Sequence, residues 1–249
     1  MRREHALTGR RLDRAEALGL AYAGAPAEDI IAGTVAEFPG HVALVSSFGA
    51  DSAVLLHMAA RLDPGLPVVM IDTLMLFEET LAYQRALAAH LGLTNVQHIR
   101  PRQADLAALD PDGTLHRRDP DACCVIRKVA PLDRALDRWP VTISGRKRHQ
   151  TAERAGIGVF EAGGERLKVS PLAAWSPADL GAYMTAHALP RHPLVARGFR
   201  SIGCAPCTTP VGEGEEARAG RWRGSAKAEC GIHFGADGRV LRAPAHEVA

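Results

Sequence analysis

The sequence has little net charge, few cysteines and no long apolar run. Thirty Lys and Arg against 28 Asp and Glu leave a formal net charge of only +2 over 249 residues. That argues against a general nucleic-acid binder while leaving room for local basic clusters. No stretch of about 18 or more uncharged apolar residues occurs, so no membrane span is expected. Arg2-Arg3 is followed by neither an apolar h-region nor a small-residue cleavage site, which reads as a cytoplasmic protein. There is no internal repeat and no low-complexity tract. Five cysteines in such a chain suggest metal binding or catalysis rather than a disulfide framework, and the odd count leaves one thiol unpaired.

What is present is an alternation of strands and helices. Nearly half of the residues are hydrophobic, 47%, enough for a sizeable core. The first forty residues are rich in Ala and Leu and read as two short helices, the second starting near Pro26. Val42–Val45, "LPVVMIDT", "NVQHI" and "VTISGRKR" read as four buried strands. Between them lie helical patterns after Ser52, over "EETLAYQRALAAHLGL" ending near Gly92, and from about Asp121, the last broken or redirected at Pro131. "ADLGAYMTAH" is a late helix. The expected fold is α/β, with an open, mostly parallel sheet and helices on both faces. A helical segment over 1–40 precedes an α/β domain over 41–198. A cysteine-anchored segment and mobile tail cover 199–249, and all three form one structural domain.

Several loops carry chemistry-bearing residues. "SSFGADSA" (46–53) joins a strand to a helix, and its Ser46, Ser47, Gly49 and backbone N–H groups suit an anion, as they also suit a plain βα turn. No Gly-Lys-Ser/Thr of a Walker A loop follows. Asp72 and Thr73 end the second strand, where open parallel sheets bind ligands, and either also serves as a helix cap. "SGRKRHQTAERAG" (144–156) is a basic run at the end of the fourth strand, open to a nucleotide, to RNA or to solvent alone. Arg218 and Arg221, spaced by three, can fork onto a phosphate or sulfate. Cys123-Cys124 and Cys204-Ala-Pro-Cys207 supply four soft ligands. Adjacent thiols on a helix diverge by about 100°, which favours a bulky iron–sulfur cluster over one tetrahedral ion, with structural zinc as the alternative. Cys230 stands apart, next to cations that lower a thiol pKa.

In this order the motifs resemble the assimilatory sulfonucleotide reductases, specifically their iron–sulfur branch, the adenylyl-sulfate (APS) reductases. The resemblance spans roughly residues 40 to 235, from "SSFGADSA" through "DTLMLFEET", "CCVIRK", "SGRKRHQTAERA" and "GCAPCT" to "RAGRW" and "KAECGIH". It implies an adenine nucleotide alpha hydrolase-like fold and thioredoxin-dependent reduction of APS to sulfite and AMP in assimilation towards cysteine. Cys230 is then the nucleophile, attacking the sulfur to form a Cys–S–sulfonate that a dithiol of thioredoxin or glutaredoxin resolves. The resemblance further implies one [4Fe–4S] cluster per subunit on Cys123, Cys124, Cys204 and Cys207. Substrate would meet Ser46, Ser47, Gly49, Asp72, Thr73, Lys128, Gly145, Arg146, Arg154, Arg218, Arg221 and His233. Neither nucleic acid nor membrane is an expected partner, and a homo-oligomer is compatible. Two departures stand out. Leu74 occupies a position usually held by Gly, and because Leu takes positive φ only at a cost, either the local turn differs there or the family's glycine is not needed for φ. Lys147 and His149 stand where Arg and Asp are more usual.

Three other readings fit parts of the pattern. One is a reductase for the 3′-phosphorylated substrate, PAPS. Another is an ATP pyrophosphatase-type RNA thiolation enzyme, which would want Ser-Gly-Gly-x-Asp-Ser where Phe48 interrupts the run. The third is a zinc-stabilised nucleotide- or RNA-binding module.

Overall fold

The computed structural model describes residues 14–163, 166–225, 227, 229 and 230. Residues 14–21 are helical, and α1 follows at Ala27–Glu37. Each expected strand then appears: β1 (Val42–Val45), β2 (Val68–Ile71), β3 (Val96–Ile99) and β4 (Val141–Ser144). Between them run α2 (Ser52–Leu62) and α3 (Glu78–Leu91). Gly92 ends α3 with φ +67, the left-handed conformation that a glycine adopts without steric cost.

The sheet has six strands in the order β3-β2-β1-β4-β6-β5. All neighbours pair in parallel except β5 with β6. Alternate residues of the central strands enter opposite cores. Val42, Leu44, Val68 and Met70 pack with α1 and α2, while Ala43 and Val69 pack with Leu132, Leu136 and Trp139 on the other face. Both faces are therefore covered, which is why β1 and β2 read as unbroken apolar runs.

Two elements were not expected. β5 (Phe160–Gly163) and β6 (Arg166–Val169) form an antiparallel edge whose residues are mostly half-buried, with Glu161, Arg166 and Lys168 interrupting the apolar ones. The expected break at Pro131 is also corrected. The helix Pro120–Cys124 passes through one widened π turn, Val125–Val129, and continues as Ala130–Leu136 with Pro131 in its first turn. A missing N–H is tolerated at the start of a new helical segment, so the redirection falls before the proline.

Chain order runs outward from β1 through β2 to β3 and returns on β1's other side with β4. The crevice outside the carboxyl ends of β1 and β4 is thus the topological switch point, where open α/β sheets bind ligands. Among the described residues no helix is long and apolar enough to cross a membrane.

Candidate active site

A cavity of about 750 Å3 opens at that crevice. The loop after β1 lines it with Ser46, Ser47 and Gly49, and the loop after β2 with Thr73. Gly145, Arg146 and Arg154 come from beyond β4, Lys128 from the π turn, and Arg218, Arg221 and Cys230 from the C-terminal segment. Of the residues expected at a substrate site, Asp72 does not line the cavity. Its buried carboxylate accepts from Leu74 N at 3.1 Å and from Arg100 Nε at 2.8 Å. His233 lies outside the described residues.

Leu74 does adopt positive φ, at +60°, so the alternative of a different turn there is corrected. Asp72 closes the turn from within, and the side chain is left 43% exposed. Left-handed backbone costs an L-residue about 1–2 kcal/mol, while a glycine gives back about 0.5–1 kcal/mol through its looser unfolded chain. Leu74→Gly should therefore stabilise the fold by roughly 0.5–1 kcal/mol, read from the denaturation midpoint. A lower midpoint would mean that side-chain contacts outweigh the strain.

The loop after β2 also meets the second cysteine pair. Ala205 N donates to Met75 O at 2.8 Å, Leu76 bridges to Cys204, and Thr73 Oγ1 lies 3.2 Å from Cys204 Sγ. Beneath it the buried Arg127 guanidinium joins Asp110 at 2.6 Å to Thr73 O at 3.0 Å. Asp119 caps the helix that carries Cys123 and Cys124, accepting from the N–H groups of Asp121 and Ala122. The two adjacent thiols differ in the cations that act on them, Arg127 on Cys123 and Lys128 on Cys124, while Cys204 acts on both. Burial pushes their pKa values up to about 11 and about 12, and that of Cys207 upward as well. As free thiols they stay neutral, and a bound metal's charge is what would ionise them.

Among the described residues no three His, Cys, Asp or Glu converge on the position of a single ion. Trp222 Nε1 and Arg221 Nε are buried without an acceptor among the described residues. Trp222 N donates to Cys207 O at 3.0 Å. Cys123 and Cys124 on one helix and Cys204 and Cys207 on one loop supply four soft sulfur donors, a set whose chemistry fits an iron–sulfur group.

Cys230 is the chemical focus of the cavity. Its Sγ lies 3.6 Å from Lys128 Nζ and 3.8 Å from Arg221 Nη2. Burial opposes its ionisation, but Lys128 and then Arg221 outweigh it, and the pKa falls below the ordinary thiol value. Burial likewise acts against the charge on Lys128, and the sulfurs of Cys230, Cys204 and Cys124 reverse that and raise its pKa. Arg221 stacks on the Trp222 ring at 4.5 Å and lies against Gly203, where an added Cβ would fall 2.3 Å from its Nη2. The missing side chain at 203 is what lets the guanidinium reach the thiol.

The basic run after β4 is committed to internal partners. Arg146 pairs with Glu161 and Ser170, buried Lys147 with Asp51 at 3.2 Å, and Arg148 Nε with Ile157 O. Asp51 heads α2 without capping it, its carboxylate turned across the cavity to Lys147. Arg127 and Glu229 are residues of the site region that motif reading did not single out. The signal for Glu229 was an acid directly before Cys230 in a basic stretch.

A thiol flanked by two cations at the switch point of an open parallel sheet marks an α/β protein with its candidate site at the carboxyl edge of the sheet. The phosphoadenosine phosphosulfate reductase domain matches residues 41–210, and the chain belongs to that family. It is 56% identical to an adenosine 5'-phosphosulfate reductase of Mesorhizobium japonicum, over 79% of this chain and 78% of that one. It is 51% identical to a protein of the same name from Chelativorans sp., over 86% and 88%. The crystal structure of phosphoadenylyl-sulfate (PAPS) reductase from Candida auris, a phosphate complex, shares the fold at TM-score 0.69 and 24% identity, over 79% of this chain and 97% of that one.

Proposed function

We propose that this protein reduces adenylyl sulfate to sulfite and AMP, an oxidoreductase reaction of sulfate assimilation. The observation that carries the reading is Cys230 Sγ between Lys128 Nζ and Arg221 Nη2 in the switch-point cavity, and the names of the relatives agree with it. The Cys230 thiolate attacks the substrate sulfur and the bond to the AMP phosphate oxygen breaks, leaving Cys–S–SO3− and AMP. Lys128 and Arg221 offset the repulsion between thiolate and sulfate and hold the charge that develops on the sulfonate oxygens. A dithiol of the thioredoxin or glutaredoxin class then attacks Cys230 Sγ and expels sulfite. Its second thiol closes the disulfide and returns Cys230, so the donor supplies both electrons. A [4Fe–4S] cluster on Cys123, Cys124, Cys204 and Cys207 would contribute charge beside Lys128 and anchor the 204–207 loop to the helix of Cys123. Anaerobic incubation with APS should yield a sulfonate adduct on the Cys230 peptide by mass spectrometry, and sulfite once reduced thioredoxin is added. Absence of the adduct in a single turnover would overturn the reading.

Substrate choice follows from the charges. PAPS carries a further phosphate on the ribose and needs cations for it. Asp51, in the loop after β1, holds Lys147, and Arg146 and Arg148 are engaged with Glu161, Ser170 and Ile157 O. APS should therefore exceed PAPS in kcat/KM by at least about tenfold, which needs only about 1.4 kcal/mol of differential transition-state binding. Equal kinetics on the two substrates would show that one of these cations leaves its partner for the ribose.

A further inference from the structure

The residue before the reactive cysteine occupies a seat of its own. Arg154 Nε lies 2.7 Å from Glu229 Oε1 and its Nη2 lies 2.8 Å from Oε2, a two-pronged fork onto one carboxylate. The third donor group of the guanidinium, Nη1, is bound to Gln150 Oε1 at 2.5 Å. Thr151 Oγ1 donates to Glu229 at 3.0 Å, and Arg218 Nη2 lies 3.4 Å from Oε2. The Glu229 carboxylate is only 10% exposed, so the seat is largely desolvated and its charge pairs weigh more than surface ones. Its charge works against the thiolate: Glu229 raises the pKa of the adjacent Cys230. A carboxylate beside a thiol that must ionise is an electrostatic cost, and the fork onto Arg154 supplies a reason for its presence.

We propose that Glu229 is a positioning residue that docks the reactive segment, and that Arg154 is its receptor and acts on the reaction through Glu229 rather than by binding substrate. The seat lies on the 3-10 turns following β4, whereas Lys128 and Arg221 stand on the helix of the first cysteine pair and on the C-terminal segment. Seating Glu229 therefore fixes Cys230 from a second side, and the sulfur reaches the two cations only while the carboxylate is held. Arg218 borders both the seat and the Cys230 environment. This inference rests on the proposed reaction only for what the seated cysteine goes on to do.

The test compares the full-length protein with Glu229→Gln, Arg154→Ala and the double variant. Glu229→Gln keeps the shape of the side chain and the Thr151 hydrogen bond, so the fold should persist. Alkylation of Cys230 by iodoacetamide, followed by peptide mass spectrometry without substrate and at a pH where the thiol is fully ionised, reports seating without reference to any activity. Both single variants should be alkylated about tenfold faster, and the double no faster than either, because the two groups act as one contact. Single-turnover sulfonation by APS should fall about tenfold or more, since small displacements of a reacting group cost that much. The dissociation constant for APS should stay within about threefold. Unchanged alkylation, additive effects in the double variant, or weakened APS binding with normal alkylation would overturn the proposal and return Arg154 to the substrate. If the alkylation pattern holds but the unmodified protein forms no sulfonate, the docking stands and the reaction assignment fails.

Discussion

Cys230→Ser should lower turnover by about four orders of magnitude or more, the scale seen when a covalent nucleophile is removed. Lys128 and Arg221 bring a thiol into ionising range, and a serine hydroxyl lies far beyond what they can shift. A serine sulfate ester, were it formed, would contain no sulfur–sulfur bond for the attacking donor thiol to open. The variant should bind APS, form no sulfonated peptide, and retain its iron. Retention of iron is the sharper readout, because it separates Cys230 from the other four cysteines. A variant that loses iron together with activity would place Cys230 among the metal ligands and remove the nucleophile from the mechanism.

The second large effect concerns those four. Protein purified without oxygen should be brown and hold about four irons and four sulfides per chain. Cys124→Ser or Cys207→Ser should lose most of both. Turnover should then fall by at least about a hundredfold, because the 204–207 loop carries Gly203 against Arg221 and the helix of Cys124 leads into Lys128. In the free protein burial keeps Cys123 and Cys124 protonated, with pKa values near about 11 and about 12. Uptake of the metal must therefore release protons, and reconstitution should slow as the pH falls. Colourless protein with one zinc per chain would overturn the assignment.

Much of this was legible in the residues. β1 and β2 are apolar throughout because both faces of the sheet are covered, and the loops that follow them collect Ser, Gly and Thr at the ligand edge. The cysteine pairs and Cys230 were legible because reactive sulfur is scarce in the chain. Other features depend on contacts between distant segments. β5 and β6 carry Glu161, Arg166 and Lys168 on a half-buried edge, so no apolar run marks them. Leu74 keeps a left-handed turn because Asp72 and the 204–207 loop hold it, which local preference opposes. The basic run after β4 reads as free positive charge, and only the fold shows Glu161 and Asp51 taking up Arg146 and Lys147. Glu229 looked like a stray acid until Arg154, 75 residues away, was brought to it.

The widened turn at Val125–Val129 makes the winding of the helix, rather than the identity of any one side chain, the sensitive variable in this stretch. A π turn holds one residue more than the α-helical turn it interrupts. If the same residues closed into regular α-helix without any being lost, everything on one side would rotate by about 100° relative to the other. Cys123 and Cys124 would keep their place while Lys128 turned away from Cys230, with helix content almost unchanged. A change that closed the wide turn at constant chain length would therefore uncouple the half of the segment that carries the cysteine pair from the half that carries Lys128, whereas removal of the one extra residue would let the helix close with both halves facing as they do.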